Sequence, residues 1–473
     1  MTQHTYYKNG PRNLTAYGQL SGEGWYHTNR TYNARGEMTG IKHRHSNQLV
    51  GGTQWNQERI AEVVYGLGAG GNPLRIDEYY DAAGNYHRSG YDYDALGRLI
   101  EWGFGGQYKE WSYDWVGNWL TSSDGTFVTD PDVDWLDSSP VPSATYDYNK
   151  LGALEDMTVS ANTDTFSYDA QDLLSQVSYG GGGSSTMVWD ADQQRQKLTN
   201  SGGSTYFVYD PTAGVPAVLV ETDGENETFY VREPGGELIA RATDQTRQYY
   251  FFDRLGSTIA MVPAVEANPT DRLFYTPWGE IVTSGSRAST VGTTANPYRY
   301  VGQLGYYYHH QDAGLQDWMQ LGVRFYEPEI GRFERRDPEE LIGLTSYGYA
   351  DLMPLLFIDP DGRTPWGLYL FLGRQAIRYG NYCGPQTSNP KREGPGAKDD
   401  VDECCKQHDD NWKRHDPPCT AFNQWKRPVC TSDTVTLCHC VSGAKCADWN
   451  LKCKLWKNAA ITGYCEVNFA CRN

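Results

Sequence analysis

One phrase returns along the first two hundred residues: an aromatic residue, Asp or Asn, two or three turn-forming residues that often include Gly, then a residue opening an apolar stretch. It reads YNARGEM (32–38), YDAAGN (80–85), YDALGRL (93–99), YDWVGNWL (113–120), YNKLGAL (148–154), YDAQDLL (168–174) and WDADQQR (189–195). Successive copies lie close to twenty residues apart, as Asp169, Asp190 and Asp210 show. A fixed period of this size marks a stacked architecture in which each unit buries its apolar face on its neighbours. Within a unit the Asp and Gly supply a tight turn, and the flanking residues alternate apolar and polar like the two strands of a hairpin. The phrase therefore predicts a long, coiled, antiparallel β-sheet rather than a helical fold.

Composition supports this reading. The 473 residues include 35 Tyr, 15 Trp and 51 Gly, the residues of strands and tight turns. The length requires two or more units. No apolar run is long enough for a membrane-spanning helix, and MTQHTYYKNG lacks the basic-then-apolar pattern of a secretion signal, so the expectation for an exported chain is another route or passage as part of a larger precursor. Charge is split: from Trp366 onward 15 Lys+Arg face 11 Asp+Glu, leaving 26 against 48 in the preceding 365 residues. A basic tail on an acidic body suits an interaction between the two, or an anionic partner for the tail.

The phrase resembles the YD repeat of the Rhs family over roughly residues 20–363. The resemblance is sharpest in GVRFYEPEIGRF (322–333) and MPLLFIDPDG (353–362), which are similar to the closing core segment of Rhs proteins. It implies a hollow β-shell (residues 1–363, with the core at about 290–363) that encloses a variable C-terminal domain, often a toxin. It also implies self-cleavage by two aspartates acting as a pair with one shared proton. The matching positions are Asp337, preceded by Arg336, and Asp359, with the cut after Arg363, where the family usually has Leu. Read as residues alone, RRDP and IDPDG are equally ordinary turns.

All eleven cysteines lie between 383 and 471. That density reads as a disulfide scaffold matured outside a reducing cytosol, with zinc binding through the CC and CHC pairs as the competing reading. AKDDVDECCKQHDDNW (397–412) predicts a helix, capped by Asp399 or Asp400 and acidic in its first turn. Val401, Cys404, Cys405, His408 and Trp412 then fall on one stripe. A bond from Cys405 to Cys383 would draw the loop YGNYCGP against Asp409 and set backbone carbonyls beside a carboxylate, the oxygen-rich setting that calcium prefers.

YGNYCGP followed by DDVDECCKQHDD resembles secreted phospholipase A2, closer to its plant-like branch, over about residues 366–471. The resemblance implies that His408 is the general base activating water, for which an imidazole is suited at neutral pH. It implies that Asp409 and the carbonyls of Tyr382, Gly384 and Gln386 hold Ca2+. Gly384 would also donate its N–H to the oxyanion. It further implies a Cys404–Cys446 bond between two helices. Gln386 stands where many members have Gly, and Val441 where venom and pancreatic enzymes carry an Asp that orients the histidine. WGLYLFLGRQAI (366–377) reads either as an interfacial anchor or as a core segment.

The expected protein is thus mainly β over residues 1–363, followed by a small disulfide-rich α-helical domain at 364–473. Its expected action is Ca2+-dependent hydrolysis of the sn-2 ester of glycerophospholipids after secretion and delivery to a target cell. The expected partners are a phospholipid surface, its own shell as container and an immunity protein, and not nucleic acid. The alternative is a cell-surface adhesion protein with a catalytically silent tail; a nuclease tail has only the basic charge in its favour.

Overall fold

The computed structural model describes residues 2–6, 12–17, 25–46, 57–363 and 366–367, apart from 214, 234, 245, 265–267, 293–294, 313, 316–317 and 340–345. The unit Met1–Trp366 is built of antiparallel strands. Its described residues hold three short 3-10 turns and no α-helix, and no helix long and apolar enough to cross a membrane. Strands pair in chain order: an 11-stranded sheet runs from Thr2–Tyr6 to Gly125–Thr126, and a 15-stranded sheet from Val128–Thr129 to Asp271–Arg272.

This corrects the expectation of one continuous sheet. The ladder breaks at Phe127, whose ring is buried edge-on against Trp119 at 5.4 Å. Apart from the two-residue strand Trp366–Gly367, the helical phospholipase-like domain expected at 364–473 lies outside the described residues.

Each residue of the repeated phrase has a physical task. In YDALGRL the Asp94 carboxylate accepts the backbone N–H groups of Leu96 and Arg98 at 2.9 Å, while Gly97 N–H closes onto the Asp94 carbonyl at 3.0 Å. Gly97 has φ +88°, a left-handed conformation that a residue with a Cβ adopts only at a cost. Arg98 pairs with Asp94 Oδ2 at 2.6 Å and lies 4.9 Å over the ring of Tyr113 in the next unit. The aromatic residue ties units together: Tyr93 donates to the Pro73 carbonyl at 2.7 Å and Trp189 to the Leu174 carbonyl at 2.8 Å. The period is therefore a chain of turn, ion pair and ring contacts from one hairpin to the next.

Strands alternate buried and exposed side chains, as in Ser184–Trp189. The buried face is filled by the closing segment that follows Asp271–Arg272. Phe207 packs on Tyr307 at 5.5 Å, Tyr230 on Tyr298 at 4.9 Å and Phe166 on Trp318 at 5.7 Å. Trp278 packs edge-on against both Trp111 and Trp119.

The early strands close onto late ones. Tyr26 packs at a tilt on Tyr249, ring centres 4.6 Å apart, and donates to the Pro263 carbonyl at 2.8 Å. Beside it His43 bonds the Phe252 carbonyl through Nε2 and Thr28 Oγ1 through Nδ1, both at 2.8 Å. A carbonyl only accepts, so Nε2 carries the proton and Nδ1 accepts the Thr28 hydroxyl. Burial pushes the His43 pKa down to about 3, keeping this contact neutral.

Candidate functional site

Within the closing segment a hairpin of Met319–Leu321 and Arg324–Glu327 turns at Gly322. The DPDG stretch lies against that turn, with Val323 N–H donating to the Asp361 carbonyl at 3.1 Å. Both backbones need glycine at the contact. A Cβ on Gly322 (φ +52°) would stand 2.2 Å from the Asp361 carbonyl oxygen, and one on Gly362 (φ +68°) would stand 2.1 Å from that of Leu321.

The hairpin delivers Arg324 to the two aspartates singled out from the sequence. Its Nη2 lies 2.7 Å from Asp337 Oδ2 and 2.8 Å from Asp359 Oδ2, so one nitrogen holds both carboxylates. The guanidinium side chain is 1% exposed and rests 3.6 Å from the centre of the Phe333 ring, with Nη1 on the Ser346 carbonyl at 3.2 Å. Asp337 is anchored by its own N–H on that same carbonyl at 2.8 Å. Asp359 N–H donates to the Tyr306 hydroxyl at 2.7 Å, which is bonded in turn to the Tyr349 hydroxyl at 2.9 Å. The other Asp359 oxygen accepts the Arg363 backbone N–H at 3.0 Å. Asp359 thus joins the cation on one side to the residue before the expected cut on the other.

Protonation follows from burial. Desolvation pushes Asp337 up to about 6, against the pull of Arg324. Asp361 rises to about 7 because it is desolvated and because of the charge of Asp359. Asp351 also rises to about 7, by burial and by the charges of Asp359 and Asp337. It sits in a run of left-handed residues, Ala350, Asp351 and Leu352 with φ of 53°, 52° and 60°. Glu334 is pushed to about 7 by burial while accepting the Phe325 N–H at 2.6 Å. The site can therefore hold protonated and charged carboxyls side by side near neutral pH, the condition for acid and base to act on one bond.

Asp337 and Asp359, expected as a pair that shares one proton, are brought onto the same cation. Arg324 lies between those two, and the charge of Asp359 acts on Asp361 as well. Arg336 lies against the wall turn at Gly152, where a Cβ would meet its Cδ at 3.0 Å, with Nη2 3.4 Å from the Val133 carbonyl. Sequence reasoning missed Arg324, Asp351 and Asp361. Only the position of Arg324 inside the quoted GVRF stretch could have pointed to it. Tyr382, Cys383, Gly384, Gln386, Cys404, Cys405, His408, Asp409 and Cys446 lie outside the described residues. Among the described residues no group of His, Cys, Asp and Glu could hold a metal ion.

Comparison with known proteins bears on the shell. A family model described as "Teneurin YD-shell" matches residues 75–345. The chain belongs to the teneurin YD-shell family. The tRNA3(Ser)-specific nuclease WapA of Bacillus spizizenii is 27% identical over 294 residues, covering 58% of this chain and 12% of that protein. The double-stranded DNA deaminase toxin A of Burkholderia cenocepacia is 26% identical over 371 residues, 74% of this chain and 23% of that one. The YD-shell chain thus spans less than a quarter of either relative. Among solved structures, a TcdB2-TccC3-Cdc42 crystal structure aligns over 76% of the chain and 21% of its own, at 14% identity and a TM-score of 0.41.

Proposed function

We propose that this YD-shell protein is a toxin that carries residues 364–473 as its effector and frees them by hydrolysing its own chain after Arg363. The observation that carries this is the bond from Asp359 to the Arg363 N–H beside the Arg324-bridged carboxylates. In the reaction one water adds across the Arg363–Thr364 amide. The C–N bond breaks, a C–O bond forms, a carboxylate takes a proton from the water, and a protonated carboxyl gives one to the leaving nitrogen. Asp361 and Asp337, held up by burial, supply the proton donor; Asp359 is the carboxylate that takes the proton from water, and Arg324 holds that carboxylate in place.

The effector reading rests on YGNYCGP and DDVDECCKQHDD, the phospholipase A2 motif pair. We assign sn-2 ester hydrolysis to it, with His408 as base. Ca2+ held by Asp409 and the carbonyls of Tyr382, Gly384 and Gln386 would supply electrostatic stabilisation of the oxyanion. The phospholipid surface is then its substrate, the shell its container and an immunity protein its inhibitor in the producing cell. A second reading, an effector acting on nucleic acid, is favoured by the printed activities of the relatives and by the basic tail.

The test incubates the full chain with vesicles labelled at sn-2, and separately with tRNA and duplex DNA. Ca2+-dependent fatty-acid release that is lost in His408→Gln supports the lipase. Release that survives His408→Gln, or breakdown or deamination of nucleic acid without lipid turnover, overturns it. Inertness in every arm favours the adhesion reading.

A further inference from the structure

The repeated turns place a left-handed residue three positions after their Asp or Asn, and glycine fills it at positions 36, 84, 97, 117, 152 and 256. Two turns keep that left-handed residue without glycine. Asp172 has φ +61° and Gln193 has φ +60°, although both form the same backbone bond, to Asp169 and Asp190. A side chain on left-handed backbone is disfavoured, so its presence asks for a compensating contact.

Both odd residues have one, and both contacts are to arginines of the closing segment that flank the acid cluster. Asp172 Oδ2 pairs with Arg335 Nη1 at 3.5 Å, and the Gln193 side-chain oxygen accepts a hydrogen bond from Arg363 Nη2. Where glycine is kept at 152, the space a Cβ would take is filled by the Tyr347 hydroxyl and Arg336. The wall thus meets the closing segment at three successive turns, and at the third it reaches out to the residue before the proposed cut.

We propose that Gln193 is a positioning residue for cleavage after Arg363: the wall turn 190–194 holds the Arg363 side chain while Asp359 holds its backbone. This rests on the proposed self-cleavage and adds to it a determinant of where the bond is cut. Asp359 fixes only the N–H of residue 363, which leaves the chain free to rotate about it. A second hold on the guanidinium removes that freedom and sets the carbonyl to be attacked. A charged donor is matched by a neutral amide oxygen, so the recognised side chain is one with a terminal N–H fork at this reach, arginine rather than leucine.

The test follows appearance of the fragment beginning at Thr364 in freshly folded full-length chain. Gln193→Gly restores the residue the turn prefers, so folding is retained and its unfolding midpoint is unchanged or higher. Cleavage is expected to slow roughly tenfold, the loss of one charge-assisted hydrogen bond at the reacting segment. Gln193→Glu, which offers Arg363 a carboxylate, recovers most of the rate. On an Arg363→Leu background Gln193→Gly has no further effect.

Wild-type rate and site in Gln193→Gly, with Asp359→Asn silent, overturns the inference while sparing self-cleavage. Persistent cleavage in Asp359→Asn overturns self-cleavage instead. An independent arm uses uncleaved Asp359→Asn chain and brief trypsin. The Arg363–Thr364 bond is expected to be cut faster once Gln193→Gly is added, and equal rates overturn the contact.

Discussion

Replacing Arg324 with Met tests the electrostatic logic of the site. The guanidinium side chain is 1% exposed, Asp359 is 1% exposed and Asp337 11%, and each is within 2.8 Å of the same nitrogen. A surface pair of this geometry would be worth about 0–1 kcal/mol. Removing the cation from a buried pair costs about 3–5 kcal/mol, because the carboxylates are left uncompensated in low dielectric. Burial decides for the larger figure.

The loss must also depend on pH. Asp337 already stands at about 6 with the cation present, and without it the value moves higher. The variant's native state then binds protons that its unfolded state has released. Its stability relative to the parent therefore falls as pH rises above about 6, where the parent's Asp337 gives up its proton and the variant's does not. Urea unfolding followed by tryptophan fluorescence at pH 5 and pH 8 reads this directly. A loss of about 3–5 kcal/mol at pH 8 that shrinks at pH 5, and is partly restored by adding Asp337→Asn, is expected. A loss below about 1 kcal/mol, or one equal at both pH values, refutes the reasoning.

Tyr306→Phe removes the acceptor of the Asp359 N–H and should cost about 1–3 kcal/mol, read as a lowered melting temperature together with slower self-cleavage; an unchanged melting temperature contradicts it. The rate of self-cleavage should fall as pH rises above about 7, where the protonated forms of Asp337 and Asp361 are lost; a rate still rising at pH 9 removes them as proton donors. His43 titrates at about 3 in the fold and near its ordinary value when unfolded. Its contribution is therefore present above about pH 6.5 and is lost by up to about 1.4 kcal/mol per pH unit as pH falls. His43→Asn should flatten that acid limb, and an identical limb excludes His43 as its cause.

Much of the wall was legible because its rules are local. Tyr, Asp, Gly and Arg at fixed offsets each satisfy a partner within the same turn or one unit away, as Asp94 with Arg98 and Tyr93 with Pro73 show. The site was legible in its aspartates and not in its cation. Arg336 was the natural choice as the neighbour of Asp337. However, successive residues of a non-helical chain face different ways, and Arg336 goes to the wall. Arg324 arrives from a hairpin 13 residues before one aspartate and 35 before the other, a distance no spacing rule spans. Gln193 was hidden differently. WDADQQR reads as a degraded copy of the phrase until the partner of its odd residue, 170 positions away, is seen.

The most direct measurement of the account is the intact mass of the purified full-length chain. Two species are expected, one ending at Arg363 and one beginning at Thr364, replaced by a single unbroken chain in Asp359→Asn. A wild-type chain that stays whole after complete folding, or one that breaks at another bond, contradicts the central claim.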